Sequence, residues 1–178
     1  EVLTEMRAIQ VKPEEKKVVV LDLNKDEEVE MDYDKLVIAT GASPVKPPLE
    51  GLDLEGVFFM RTPADAIALR DYIENNSPKR AVVVGGGFIG LEVAENFAHL
   101  NIPTMVVDMA DQVPPGFEPE FSEYIVDHLA DEGIMLFTGT RVEEIVGEDG
   151  KLSAIKTNRT KMKADVAVLS LGIRPNTA

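Results

Sequence analysis

The stretch that decides the fold is Ala81-Val82-Val83-Val84-Gly85-Gly86-Gly87-Phe88-Ile89-Gly90. Its four leading apolar residues predict a short strand buried on both faces, as in a parallel sheet. The next six have the G-x-G-x-x-G pattern, which is weak evidence when it stands alone. Beyond it, Ile89, Val93 and Phe97 recur at helical spacing and predict a helix with one apolar face. A strand, a glycine turn and a helix in this order are typical of a dinucleotide-binding unit.

The residues after this helix strengthen that interpretation. Asn101-Ile102-Pro103 should end the helix, and Thr104–Val107 predicts the next strand, which completes a right-handed βαβ unit. Asp108 then stands 23 positions after Gly85, close to the separation of about 20 expected for the acidic residue of a dinucleotide site.

Each part of the motif has a physical task in such a site. Gly85 permits a tight turn, Gly87 lets the backbone approach a pyrophosphate, and Gly90 allows the helix to pack closely on the strand. Backbone N–H groups at the helix start, Ile89 included, would hold the phosphates, and Asp108 would accept hydrogen bonds from the adenosine ribose. Two plainer alternatives remain open: a glycine turn that only packs strand on helix, and a solvated carboxylate at a strand end.

The acidic residue also predicts which coenzyme is preferred. Asp108 would repel the 2′-phosphate of NADPH, and the residues directly after it, Met109–Gln112, include no arginine to answer that phosphate. The next basic residue along the chain is Arg141. We therefore expect NADH to be preferred, unless a basic residue distant in sequence folds into place.

The rest of the chain predicts an α/β fold, a Rossmann-like parallel sheet with helices and a β-hairpin or meander insertion, preceded by a β-rich segment. Short strands are expected within residues 6–38, and a segment rich in proline and glycine at 43–56 reads as a linker. Further predicted elements are a helix capped by Thr62, a helix over Glu118–Glu132 ended by Gly133, a strand at Ile134–Phe137, a hairpin of Arg141–Val146 with Leu152–Thr157, and a buried strand at Val166–Leu171. On the second helix, the residues predicted to share a face are Phe121, Tyr124, Ile125, His128 and Leu129.

Composition excludes several classes of function. The 178 residues carry 32 acidic and 18 basic side chains, a net charge of -14, which would repel nucleic acid and anionic membranes. The absence of cysteine excludes disulfides, thiolate metal sites and a redox cysteine within these residues, and it fits a cytoplasmic protein. Because the sequence begins with Glu1-Val2-Leu3 rather than methionine, we expect it to be a piece of a longer protein.

The sequence resembles the FAD-dependent pyridine nucleotide–disulfide oxidoreductases, and within them the branch of NADH oxidases, NADH peroxidases and coenzyme A disulfide reductases. The resemblance covers nearly the whole chain. Four stretches carry it: Tyr33–Gly41, Val84–Glu95, Asp108–Phe117 and Leu171–Thr177.

The resemblance implies a domain arrangement in which an NAD domain is inserted into an FAD domain. Residues 1–42 would be the end of the first FAD segment, 43–56 a linker, 57–174 the NAD(H) domain, and 175–178 the start of the return to the FAD domain. Thr40 and Gly41 would form one edge of the flavin site. The flavin's own glycine motif and any redox cysteine would lie outside these residues.

The resemblance also implies roles for single residues. Phe88 would cover the flavin until nicotinamide displaces it, and Glu92, four residues later on the same helix face, would contact the nicotinamide carboxamide. Phe117 would pack near the adenosine end, and a side chain at Gly172 could block the cofactor. The alternatives are helix-start packing for Phe88, an exposed carboxylate for Glu92 and a core position for Phe117. His99 and His128 are interpreted as structural.

The function expected from the sequence is therefore an NAD(H)-binding domain that presents NADH for hydride transfer to a flavin. The final acceptor would be a disulfide, a peroxide or oxygen, and the parent enzyme is expected to be a homodimer. No catalytic acid, base or nucleophile and no metal site is recognised, so the chain alone should not turn over. Two alternatives remain: a non-catalytic NAD-sensing module, and a Rossmann methyltransferase or other nucleotide enzyme.

Overall fold

The structure is a computed structural model that describes residues 1–177. Ala178 lies outside the described residues, so the predicted return segment 175–178 is described only as far as Thr177. The described chain forms two compact units, Glu1–Thr40 and the residues from Gly41 onward. The strands are β1 (Met6–Lys12), β2 (Lys17–Asp22), β3 (Glu27–Asp32), β4 (Ala42–Pro44), β5 (Val57–Phe59), β6 (Ala81–Val84), β7 (Thr104–Val107), β8 (Met135–Phe137), β9 (Val142–Glu148), β10 (Lys151–Thr157), β11 (Lys161–Lys163), β12 (Val166–Leu169) and β13 (Ile173–Pro175), and the helices are α1 (Pro63–Asn76), α2 (Phe88–His99) and α3 (Pro119–Asp131).

The first unit is an antiparallel sheet in the order β1-β2-β3. Val18 pairs with Met31 and Val20 with Val29, so alternate apolar residues share one face. The short strands predicted within residues 6–38 are confirmed for these three. Leu36–Ile38 forms no strand.

The second unit is built on a five-stranded sheet in the order β5-β12-β6-β7-β8, in which every pair is parallel. All residues of β6 and β12 are buried, as the two apolar runs predicted. Val83 faces a core shared with the helices, whereas Val82 and Val84 face a second core under the antiparallel sheet β11-β10-β9. The sheet is thus covered on both faces, and the α/β fold with a meander insertion is confirmed.

The helix boundaries follow the predicted signals. Thr62 and Asp65 form a reciprocal capping box at the start of α1. Asn101 and Gly133 have φ of 58° and 73° just after α2 and α3. The N–H of Ile102 donates to the Phe97 carbonyl, and that of Ile134 to the Leu129 carbonyl, each at the end of its helix. These bonds define Schellman motifs that stop both helices where the sequence predicted.

The predicted faces of the helices need correction. On α3, Phe121 and Tyr124 are 62% and 78% exposed, and His128 is exposed as well. The side that meets the core carries Ser122 and Leu129 instead, with Ile125 partly buried. These three positions form a narrower stripe at i, i+3 and i+7. On α2, Val93 and Phe97 are buried as predicted, but Ile89 is 42% exposed.

The segment 43–56 is not free of structure. It begins in β4, which pairs antiparallel with β13, so Ala42 lies opposite Pro175. Leu52 and Leu54 pack against the core under the meander. The pairing places residues 42–44 beside residues 173–175, where the segment 57–174 ends. No helix among residues 1–177 combines the length and apolar character needed to cross a bilayer.

Candidate functional site

The glycine turn between β6 and α2 depends on glycine at three places for internal reasons. Gly85 has φ of +108°, and a Cβ there would collide with the Ser170 carbonyl oxygen. A Cβ at Gly90 would collide with the carbonyl oxygen of Gly85, so the absence of a side chain lets α2 begin tightly against the strand. At Gly86 the collision would be with the Val113 side chain. The G-x-G-x-x-G pattern assigns no role to Gly86, but the run of three consecutive glycines is a signal that could have indicated one.

Gly87 is different, because a Cβ at this position would meet nothing within 4 Å among the described residues. It is the N-cap of α2, and within residues 1–177 the helix start has no side-chain capping bond. The first N–H groups of a helix lack intrahelical partners and carry the positive end of its dipole. Open space in front of uncapped N–H groups is what an anionic group such as a pyrophosphate requires.

Asp108 holds the glycine turn as well as standing at its predicted place after β7. Its Oδ2 accepts a hydrogen bond from the Gly86 N–H at 2.6 Å, and its Oδ1 accepts one from the Ala110 N–H at 2.7 Å. Short bonds of this kind, between a carboxylate and backbone donors, are the stronger class. Each oxygen keeps a further acceptor position that can serve a ribose hydroxyl. Sequence spacing predicted the position of Asp108 but missed its bond to the turn.

A cavity of about 220 Å³ lies beside Asp108, next to the residues that end β6 and β7. Its wall is mostly apolar, and Leu171 and Val142 contribute to it, as does Arg141. The sequence left open whether a basic residue distant along the chain folds into place near Asp108. Arg141, 33 positions away in the chain, lines the same cavity as Asp108.

Two aromatic rings meet above the glycine turn. Phe88, 70% exposed at the start of α2, contacts Phe117 edge-to-face, with ring centroids 5.6 Å apart. The loop that carries Phe117 is held by Gln112, whose Nε2 donates to the Phe117 carbonyl at 2.6 Å. The resemblance assigned the two rings to opposite ends of a dinucleotide, whereas the structure brings them together.

A wider groove of about 750 Å³ runs between α1 and α2. Phe88, Ile89 and Glu92 line it together with apolar residues of α1 such as Leu69 and Ile73. Phe88 and Glu92 thus face one space, as their spacing predicted. No group of three or more metal-ligating side chains is found in residues 1–177.

The remaining predicted residues lie around the β4–β13 pair. Gly41 has φ of +75°, and its carbonyl oxygen accepts the Asn176 N–H at 3.0 Å. Gly172 has φ of +89° with open space at its Cβ position, and its carbonyl oxygen accepts the Val45 N–H. Thr40 is the last residue of the first unit.

The fold and the turn define a Rossmann-type α/β protein, and comparison with known proteins gives its family. The family described as pyridine nucleotide-disulphide oxidoreductase matches residues 1–178. This chain belongs to that family. An NADH oxidase of Methanocaldococcus jannaschii is 40% identical over 177 residues, covering 99% of this chain and 39% of that protein.

Solved structures agree with this assignment. An NAD-dependent persulfide reductase from A. fulgidus superposes with a TM-score of 0.88 and 40% identity, over 99% of this chain and 32% of that one. The water-forming NADH oxidase of Lactobacillus brevis, bound to NADH, superposes with a TM-score of 0.84 and 31% identity, over 97% of this chain and 38% of that one. An engineered variant of this oxidase, bound to NADPH, superposes with a TM-score of 0.83 and 29% identity, over 97% of this chain and 38% of that one. This chain therefore spans between about a third and two-fifths of the length of each of these relatives.

Proposed function

We propose that this chain is the NAD(H)-binding domain of an FAD-dependent oxidoreductase. It would present NADH for hydride transfer to a flavin, from which electrons pass to a disulfide, a peroxide or oxygen. The observation that carries the proposal is the uncapped start of α2 at Gly87, with Asp108 fixed beside it by the Gly86 N–H. The family and the oxidase and reductase names of its relatives support the proposal.

The residues of this chain would hold the dinucleotide at several points. The N–H groups at the start of α2, including that of Ile89, would bind the pyrophosphate where Gly87 leaves space, and Gly85 and Gly90 would keep the turn tight. Asp108 would accept from the adenosine ribose, and the cavity beside it has an apolar wall suited to the adenine. Phe88 and Glu92, on one side of α2, would face the nicotinamide end. The bound coenzyme supplies the hydride; the chain supplies position and electrostatics.

The flavin would be shared with parts of the parent outside residues 57–174. Thr40 and Gly41 would form one edge of its site. The β4–β13 pair supports the inserted arrangement, because it places residues 42–44, at the start of the linker, beside residues 173–175. A cytoplasmic homodimer is our prediction for the parent enzyme.

We further propose that NADH is preferred over NADPH and that Asp108 is the main cause. The Lactobacillus brevis oxidase and its NADPH-bound variant support this. In the variant, a glycine, an aspartate eighteen residues later and a proline seven residues beyond the aspartate are replaced, and the residue after the aspartate becomes arginine. Gly90, Asp108 and Pro115 have the same spacing in this chain.

Calorimetric titration of the purified chain tests the central proposal. NADH and NAD should bind, whereas S-adenosylmethionine and ATP should bind at least about tenfold more weakly, a difference of about 1.4 kcal/mol. Tighter binding of S-adenosylmethionine would indicate a methyltransferase-type site. Failure of all four ligands to bind a folded chain would contradict the proposed function altogether.

A further inference from the structure

A second charged residue at the adenosine end bears on which coenzyme is accepted. We propose that Arg141 is a specificity residue that attracts the 2′-phosphate of NADPH and so limits the preference for NADH set by Asp108. This inference rests on the proposed dinucleotide site. Its basis is the cavity of about 220 Å³ that both residues line.

The backbone fixes Arg141 close to Asp108. The N–H of Thr140, the residue before it, donates to the Asp108 carbonyl oxygen at 2.8 Å. Arg141 itself donates its N–H to Asn158 Oδ1 at 2.9 Å and accepts from the Asn158 N–H at 3.0 Å. The start of the meander is therefore tied on one side to the carboxylate-bearing residue and on the other to the turn after β10. Arg141 cannot drift away from the cavity without breaking these bonds.

The guanidinium of Arg141 is only weakly engaged. Its Nη2 lies 3.4 Å from Glu143 Oε1, and the two side chains are 67% and 38% exposed. Exposed pairs of this kind contribute little to stability. A phosphate offers the guanidinium a stronger, bidentate acceptor. The side chain can therefore turn to a 2′-phosphate without losing a strong partner.

Arg159 also reaches this part of the molecule, but its surroundings differ. Its Nη2 lies 3.0 Å from the position that a Cβ on Gly139 would take, and Asp111 Oδ1 lies 3.4 Å from the same point. The Arg159 guanidinium and the Asp111 carboxylate thus both approach Gly139, in front of the residues that line the cavity in sequence. Arg159 is not among the residues that line the cavity. For both reasons the geometry points to Arg141.

The test compares ligands that differ only in the 2′-phosphate: NADPH against NADH, and adenosine 2′,5′-bisphosphate against 5′-AMP. In Arg141→Gln, which removes the charge but keeps an amide, the Kd for both 2′-phosphorylated ligands should rise about five- to tenfold at low salt, while the Kd for NADH and 5′-AMP stays within about twofold. Arg141→Lys, which keeps the positive charge, should bind the 2′-phosphorylated ligands nearly as tightly as the unmodified chain. High salt should reduce the effect of Arg141→Gln on their Kd, because the site is partly exposed.

Lys156→Ala is the matched control. Lys156 lies on β10 of the same meander, 3.4 Å from Glu144 at a similar exposure, but away from the cavity. Lys156→Ala should leave the ratio of the Kd for NADPH to the Kd for NADH unchanged. A ratio that is unchanged in Arg141→Gln, or that changes as much in Lys156→Ala, would overturn the inference, as would an equal loss of affinity for all four ligands. If the unmodified chain binds none of them, the proposed function fails instead.

Discussion

At the scale of single residues, Gly87 is the position of the glycine turn where a substitution should affect binding without disturbing the fold. A Cβ at Gly85, Gly86 or Gly90 would collide with the chain itself, whereas one at Gly87 would not. Gly87→Val should therefore fold, losing about 1 kcal/mol or less at the helix cap, while its side chain blocks the pyrophosphate and weakens NADH binding at least about tenfold. Calorimetry and thermal unfolding measure the two effects. Gly90→Val, the contrasting variant, should lose stability instead. Unchanged NADH affinity in folded Gly87→Val would contradict the proposed site.

Asp108 gives a second prediction at this scale. A 2′-phosphate about 4 Å from its carboxylate would be repelled by roughly 1 kcal/mol in bulk water and about 4 kcal/mol at an effective dielectric of 20. Asp108→Asn removes the charge, so the NADH preference should narrow, and adding Met109→Arg should narrow it further. Because Asp108 also accepts from Gly86 and Ala110, the ratio of the two Kd values is the measurement, not either alone. Equal affinities in the unmodified chain at low salt would show that Asp108 does not set the preference.

At the scale of elements, the sequence predicted what local patterns specify. The apolar runs of β6 and β12 and the capping box at Thr62 are local signals, and each gave the right element. The strands β5 and β13 have three residues each, too few to show a period, and they exist because distant strands offer them hydrogen bonds. The prediction of the buried face of α3 was wrong for a related reason. The sequence pattern offers several apolar positions on a helix, and only packing decides which of them meets the sheet. In the candidate site, spacing along the chain located Asp108 but could not reveal Arg141 beside it.

The contact between α2 and α3 gives a prediction of pH dependence. The Glu95 carboxylate accepts from His128 Nε2 at 2.8 Å, and this bond is the main reason that the pKa of His128 is raised above its ordinary value of 6.5. The folded-state pKa is thus above the unfolded one, so the stabilisation is fully present below about pH 6.5 and is lost as pH rises through the folded value. Thermal unfolding should show His128→Gln to be less stable than the unmodified chain near pH 5.5, with this difference in stability narrowing as pH rises through the folded-state pKa. His99→Gln, on the exposed side of α2, is the control; a gap independent of pH would refute the ion pair.

At the scale of the whole molecule, the unit that begins at Gly41 has its first and last strands, β4 and β13, paired with each other. The parallel sheet has a core on each face, one shared with the helices and one shared with the meander. An arrangement of this kind lets a domain be inserted in another without disturbing either core, because the host chain needs only to accept two neighbouring ends. The resemblance to the family predicts such an insertion for residues 57–174. The pairing that would make the insertion sterically simple joins residues more than 120 positions apart, so no local sequence pattern could predict it.

The flavin content of the purified chain follows from the same organisation. The single G-x-G-x-x-G motif of the sequence, Gly85–Gly90, belongs to the proposed NADH site, and of the proposed flavin site the chain offers only the edge at Thr40 and Gly41. No second motif of this kind precedes the other described helices, α1 and α3. We therefore expect far less than one equivalent of FAD per chain, measured by the visible absorbance of flavin released on denaturation. Gel filtration after incubation with excess FAD should leave the chain nearly colourless, while the same preparation still binds NADH in the calorimeter. Close to one equivalent of flavin, retained through gel filtration, would mean that these residues build a complete flavin site and that the proposed division into domains is wrong.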